Sequence, residues 1–176
     1  MKKIDCFFLL FFLSLNCCFA QERFDIFDIA RKGTVEQAKE VLKTNPKALN
    51  SVNDDGYSPL ILACYRGNNE VVKFLIDKGC DVNQSSSMGT PLMAAVVKGN
   101  MEAAKLLLLK NANPNNTDNN GTTALIYATS VKNYELVALL VEAKANPDLK
   151  DNRGNSAFDY AILLNDDKLI ETLKNK

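Results

Sequence analysis

Histidine is absent from this chain of 176 residues. The absence removes the side chain that most often serves as a general base near neutral pH and the commonest metal ligand. With it go Ser-His-Asp and Cys-His arrangements and the H-E-x-x-H zinc site. Neither G-x-x-x-x-G-K-S/T nor G-x-G-x-x-G occurs, so no phosphate cradle is signalled, and no cofactor is expected. Net charge is missing too, because 21 Lys and Arg offset 21 Asp and Glu, with no run of five or six like charges. A phosphate backbone demands a clustered excess of Lys and Arg, so no nucleic-acid partner is expected. A charged interaction tail is excluded on the same ground. Long apolar runs are also lacking: the one at residues 7–15 falls well short of the about 20 residues that a membrane span needs. What remains, 47% hydrophobic and 24% charged residues, is ordinary globular composition for one domain behind a leader.

The leader is residues 1–20, MKKIDCFFLLFFLSLNCCFA. Lys2 and Lys3 precede the apolar core, and Cys18-Phe19-Ala20 makes a small-x-small ending before Gln21. This layout predicts a signal peptide cleaved after Ala20 and a periplasmic or secreted product. The minority alternative is lipid modification at Cys17, but Asn16 stands where a lipidation motif has a small residue. Three of the five cysteines, Cys6, Cys17 and Cys18, lie in the leader, which leaves Cys64 and Cys80. Two cysteines do not make a disulfide framework, and both occupy positions where other parts of the chain place small residues. They read as small buried hydrophobes.

Beyond the leader the chain repeats itself. Residues 54–83 read DDGYSPLILACYRGNNEVVKFLIDKGCDVN, a turn, a short helix, a tight break, a longer helix and a loop. Pro59-Leu60 recurs as Pro91-Leu92, Ala124-Leu125 and Ala157-Phe158, at intervals of 32, 33 and 33 residues. A fixed period of this length signals a stacked array. The domain of residues 21–176 then divides into five units: 24–52, 53–85, 86–117, 118–150 and 151–176, the first and last serving as caps.

Local chemistry supports each unit. In the first, Phe24, Ile26, Phe27, Ile29 and Ala30 suggest a short helix ending near Gly33. Thr34 and Gln37 form a capping box for the next helix, which Asn45-Pro46 ends. In the second, Asp54-Asp55-Gly56 is turn chemistry, Ser58 an N-cap, Pro59 an N1 residue and Gly79 a C′ residue. The third unit has a Ser-rich entry turn one residue short, with Met88 where Gly56 and Gly121 stand in its neighbours. Its hairpin is expected to differ in shape, through loop drift rather than function. In the fourth, Lys132 replaces the glycine of the break, which is unfavourable if that position needs positive φ. The last unit ends in a helix through Leu169, Ile170 and Leu173, with Lys174 and Lys176 at its C-terminal end.

Ser58-Pro59-Leu60-Ile61-Leu62-Ala63, Gly67-Asn68 and Gly79-Cys80-Asp81-Val82-Asn83 resemble the signature of ankyrin repeats. The likeness covers about residues 24–176. It implies an all-α solenoid of stacked helix–turn–helix units with projecting hairpin loops and a concave face. The family's signature His is replaced by Ile61, Met93, Ile126 and Asp159, which removes the hydrogen bonds that brace the turn in the family.

The resemblance implies partner contacts at the hairpin tips and the exposed side of each first helix. Position by position these are Asp54, Asp55, Tyr57, Tyr65 and Arg66 in the second unit, and Ser87, Val97 and Lys98 in the third. The fourth supplies Asn119, Asn120, Thr122, Ser130 and Val131, and the last Arg153 and Asn155. Tyr and Arg anchor interfaces most often, so Tyr57, Tyr65 and Arg66 are the candidate anchors. The competing view is that Tyr65 covers a neighbouring helix and Arg66 is solvated.

Catalytic and metal sites are not expected. Asn116 to Gly121 mimics the start of a calcium loop, but Tyr127 stands where the closing Glu is required. Asp54-Asp55 and Asp166-Asp167 suit a solvated turn and a helix N-terminus better than acid–base work. Matches to the glycosylation sequon begin at Asn83, Asn115 and Asn120 and follow from polar loop composition. The expected function is a non-catalytic, monomeric protein–protein interaction module, exported to a bacterial-type envelope. The alternatives are a structural or stress-related envelope protein without a discrete partner, and an enzyme with an unrecognised site.

Overall fold

In a computed structural model, residues 25–174 are described. The leader, the alternative Cys17 site, Phe24 and Lys176 lie outside the described residues. Every extended element within that span is helical: α1 (Ile26–Lys32), α2 (Val35–Thr44), a 3-10 turn (Pro46–Asn50), α3 (Pro59–Arg66), α4 (Asn69–Asp77), α5 (Pro91–Val97), α6 (Met101–Leu109), α7 (Ala124–Ser130), α8 (Tyr134–Glu142), α9 (Ala157–Leu163) and α10 (Asp167–Lys174). No helix among the described residues is long and apolar enough to cross a membrane.

The first helices stack in sequence, α1 on α3, α3 on α5, α5 on α7 and α7 on α9. They approach closely because one register position is always alanine: Ala30, Ala63, Ala95, Ala128 and Ala161 are each 0% exposed. The second helices form a parallel outer row, with α4 against both α2 and α6, and α8 against α10. There Leu75, Leu107, Leu140 and Leu173 repeat in register and are fully buried. Burying one such leucine contributes about 2 kcal/mol, and each lies between units rather than within one.

The ends of the helices follow their sequence signals. Ser58, Thr90, Thr123 and Ser156 cap the first helices by accepting from the N–H three residues on. Thr34 and Gln37 close the expected capping box. From the second unit on, the break after the first helix does need positive φ, at Gly67, Gly99, Lys132 and Asn165 alike, so Lys132 carries the strain expected of it. The position after the second helix is also left-handed in the second, third and fourth units, filled by Gly79, Asn111 and Lys144.

Asparagines join successive loops. The Asn50 carboxamide oxygen accepts from the Asp81 N–H, Asn83 from Asn113, and Asn115 from Asn146, at 2.6 to 2.9 Å. Two of the three sequon asparagines, Asn83 and Asn115, are thereby committed to holding the stack together.

Candidate functional site: a groove over the second and third units

Each unit after the first opens with a hairpin that precedes its first helix. Isolated bridges pair Thr117 with Thr123 and Lys150 with Ser156, whereas the third unit pairs Ser86 with Gly89 over a two-residue tip. The shortened turn therefore differs in shape, as expected. Its positive φ moves from the Met88 position to Gly89, at 98°. A Cβ at Gly89 would collide with the Met93 sulfur, so glycine there lets the tip fold down onto α5.

The hairpins of the fourth and last units are braced by buried carboxylates. Asp118 Oδ1 accepts from the N–H groups of Asn120 and Thr122, both at 2.8 Å, while Oδ2 accepts from the Tyr127 hydroxyl at 2.7 Å. Asp151 repeats the arrangement 33 residues on, holding Arg153, Asn155 and the Tyr160 hydroxyl. The apparent calcium-loop start is thus spent on its own backbone. The expectation that loss of the signature His leaves the turns unbraced is corrected for these two units: an Asp–Tyr pair supplies the brace. The residues at the His position do other work. Ile61, Met93 and Ile126 are buried in the stack, and Asp159 completes a capping box with Ser156.

This pairing is confined to half the molecule. The register position of Tyr127 and Tyr160 holds Leu62 in the second unit and Ala94 in the third. The matching hairpin positions are Asn53 and Ser86 instead of Asp, and Asn53 holds only the Tyr57 N–H, at 2.8 Å. Where the two tyrosine rings are missing, a groove of about 380 Å³ opens. Leu62, Ala94, Ile61, Met93 and Val97 form its floor and sides, and Tyr127 closes one end. Tyr57 and Met88 descend from two hairpins, joined by a bond from the tyrosine hydroxyl to the Met88 sulfur. Arg31, Asp55, Tyr65 and Arg66 make the rim.

The three candidate anchors, Tyr57, Tyr65 and Arg66, therefore converge, joined by Asp55 and Val97. Tyr65 is 37% exposed, and the Lys98 ammonium lies 4.2 Å from its ring centre. Its ring both packs on the neighbouring unit and faces the groove. On its other side, a second depression is lined by Arg66, Gly67, Lys98 and Asn100. Asp54 is exposed on the hairpin beside the rim.

The remaining predicted residues are not brought into the groove. Ser87 and Asn119 meet each other across hairpin tips through their backbones. Asn119 and Asn120 also accept from Asn152 through their carbonyls. Thr122, Arg153 and Asn155 have their N–H groups held by the bracing carboxylates. The Ser130 hydroxyl turns back to the Ile126 carbonyl, and Val131 is exposed further along the face. Conversely Arg31, Ile61, Leu62, Met88, Met93, Ala94 and Tyr127 line the groove without having been expected there. For Leu62, Ala94 and Tyr127 the signal was the change from Leu62 and Ala94 to Tyr127 and Tyr160 at one register position.

Among the described residues no group of His, Cys, Asp or Glu is arranged to hold a metal ion. Cys64 and Cys80 are buried free thiols, as their positions suggested. Burial pushes both up, Cys80 to about 12, so neither is a thiolate at neutral pH.

The family described as "Ankyrin repeats (3 copies)" matches residues 26–118 and again 92–176. This chain belongs to the ankyrin-repeat family. It is 36% identical over 68 residues to Ankyrin repeat and SAM domain-containing protein 6 of Rattus norvegicus, which covers 39% of this chain and 8% of that protein. It is likewise 36% identical over 59 residues to NAD-capped RNA hydrolase NUDT12 of Homo sapiens, 32% of this chain and 13% of that protein. The matched segments are thus small parts of those much longer relatives. Ankyrin repeats imply a protein–protein interaction module.

Proposed function

We propose that this ankyrin-repeat chain is a non-catalytic binding module, exported through its leader, that grips one partner protein in the groove over the second and third units. The observation that carries the reading is the convergence of Tyr57, Tyr65, Met88 and Arg66 around an apolar floor. Tyr, Met and Arg are the types enriched where interfaces are buried. The ordinary role of the face explains the bracing pairs elsewhere but not an open trough lined with such residues. The hydrolase among the relatives does not extend catalysis to this chain, because the match covers 13% of it.

The test is capture by the full chain, tagged at its C-terminus and expressed in its own host, beside the triple variant Tyr57→Ala, Tyr65→Ala, Arg66→Ala. A partner retained by the parent and lost from a folded variant is the expected result. Identical proteins retained by both would move the contact off the groove. N-terminal sequencing of the recovered protein tests export: a start at Gln21 is expected, and an intact Met1 in the cytosol would overturn it.

A further inference from the structure

We propose that the groove selects an extended peptide segment in which two apolar residues are bracketed by an acidic residue at one end and a basic residue at the other. The inference rests on the binding reading above and specifies its ligand. The charges around the groove are sorted by position. Asp54 and Asp55 stand on the hairpin just before α3, whereas Arg66 is the last residue of α3 and Lys98 follows α5. Eight helical residues separate the two ends by about 12 Å, the reach of about four extended residues.

Among the described residues these charges also form no ion pairs. Arg31 is paired with Asp28 at 2.9 Å, but among the described residues no carboxylate pairs with Arg66 or Lys98, and no cation with Asp54 or Asp55. Arg66 and Lys98 instead flank the Tyr65 ring, which joins the apolar trough to the basic depression.

The sorting is moreover confined to the groove: the second unit carries both ends, and the third adds Lys98 but has Ser87 where Asp54 stands. In the fourth and last units the Arg66 and Lys98 position holds Val131 and Leu164. The Asp54-Asp55 position holds Asn119-Asn120 and Asn152-Arg153. A general solubility role would not follow the groove in this way. Charges at a rim contribute little affinity but discriminate strongly against a like charge placed opposite.

The experiment measures fluorescence anisotropy of three labelled, end-capped peptides with the full chain at fixed salt. Each has two central leucines flanked by serines; the ends are lysine and glutamate, two lysines, or two glutamates. The mixed peptide is expected to bind about tenfold more tightly than either of the others, since a like-charge contact disfavours them. Arg66→Glu with Lys98→Glu, both exposed and remote from the core, is expected to transfer the preference to the two-lysine peptide. Equal binding of all three, binding of none, or an unmoved preference in the variant would overturn the proposal. Partner capture that still depends on Tyr57, Tyr65 and Arg66 would in that case leave the binding face standing. Failed capture with correctly ranked peptides would instead retire only the protein partner.

Discussion

The Tyr127 hydroxyl donates to Oδ2 of Asp118 at 2.7 Å, closing a brace whose other oxygen already holds two backbone N–H groups. Asp118 is only 7% exposed, so its carboxylate depends on these donors for solvation. Tyr127→Phe is expected to destabilise by about 1–2 kcal/mol, the cost of leaving a buried charged acceptor short of a partner. Asp118→Ala removes the acceptor for all three donors and is expected to cost about 3 kcal/mol. Urea unfolding measures both. Equal, negligible losses would show that the hairpin does not need the brace.

Two other carboxylates tie stability to acid. The Tyr160 hydroxyl, followed by the Asn155 and Arg153 N–H groups, holds Asp151 below the usual carboxylate range. The Tyr134 hydroxyl, with the Leu169 N–H and Lys132, does the same for Asp166. A carboxyl whose folded value lies below its unfolded value of about 3.9 contributes stability above that pH. The contribution is lost as pH falls through the depressed folded value. Tyr160→Phe and Tyr134→Phe are therefore expected to destabilise at neutral pH, with the difference from the parent shrinking as pH falls below the unfolded value of about 3.9. A pH-independent difference would assign the loss to packing.

Alkali acts through the opposite sign. Burial and then the Asp118 carboxylate push the Tyr127 phenol up to about 12. Its unfolded value is about 10, so its contribution is complete below that pH and is lost as pH rises through 12. Following tyrosinate absorbance, Tyr127 is expected to ionise late and together with loss of helical signal. A phenol titrating reversibly near 10 in the folded protein would contradict the half-buried, hydrogen-bonded geometry.

Left-handed lysines offer a second stability test. Lys144 has φ 65° and Lys132 φ 54°. The left-handed conformation costs a non-glycine residue about 1–2 kcal/mol, partly offset by glycine's extra freedom in the unfolded chain. Lys144→Gly is expected to raise stability by about 0.5–1 kcal/mol. Lys132→Gly is expected to gain less, because the Lys132 ammonium lies 3.3 Å from Asp166 and would be lost. Urea midpoints separate the two.

The repeat was legible because its determinants are local and periodic: Ser58 and Pro59 start a helix, Gly79 ends one, and the alanine row from Ala30 to Ala161 recurs in register. The candidate anchors Tyr57, Tyr65 and Arg66 came from the family resemblance, and they do line the groove. Met88 did not come from it, since its role depends on a hairpin whose turn slides by one residue to Gly89. Arg31 reaches the groove from the first cap, a long-range contact that no spacing rule encodes. The brace was not legible because Asp118 and Tyr127 read together as a failed calcium loop, with Tyr127 in the place of its closing Glu, and not as a hydrogen-bonded pair. Their nine-residue separation, repeated at Asp151 and Tyr160, was the overlooked sign.

The contrast between braced and open units yields the sharpest test of the groove. Leu62 occupies the register position of Tyr127, and Asn53 that of Asp118. The double variant Asn53→Asp, Leu62→Tyr should therefore build in the second unit the brace that the fourth already has. Its new ring would occupy the trough rather than the core, since Leu62 lines the groove floor. Stability is expected to hold or to rise by about 1 kcal/mol, the worth of one hydrogen bond to a charged acceptor. Partner capture is expected to fall at least about tenfold, because the apolar anchor of the ligand loses its space. Most interface mutations weaken binding while threatening the fold; this one separates the two. A variant as stable as the parent that still captures the same partner would place binding elsewhere, at the hairpin tips or on the outer helices. A variant that loses stability would show that the Asp–Tyr pair does not transfer between units, and that Tyr127 depends on its own surroundings to reach Asp118.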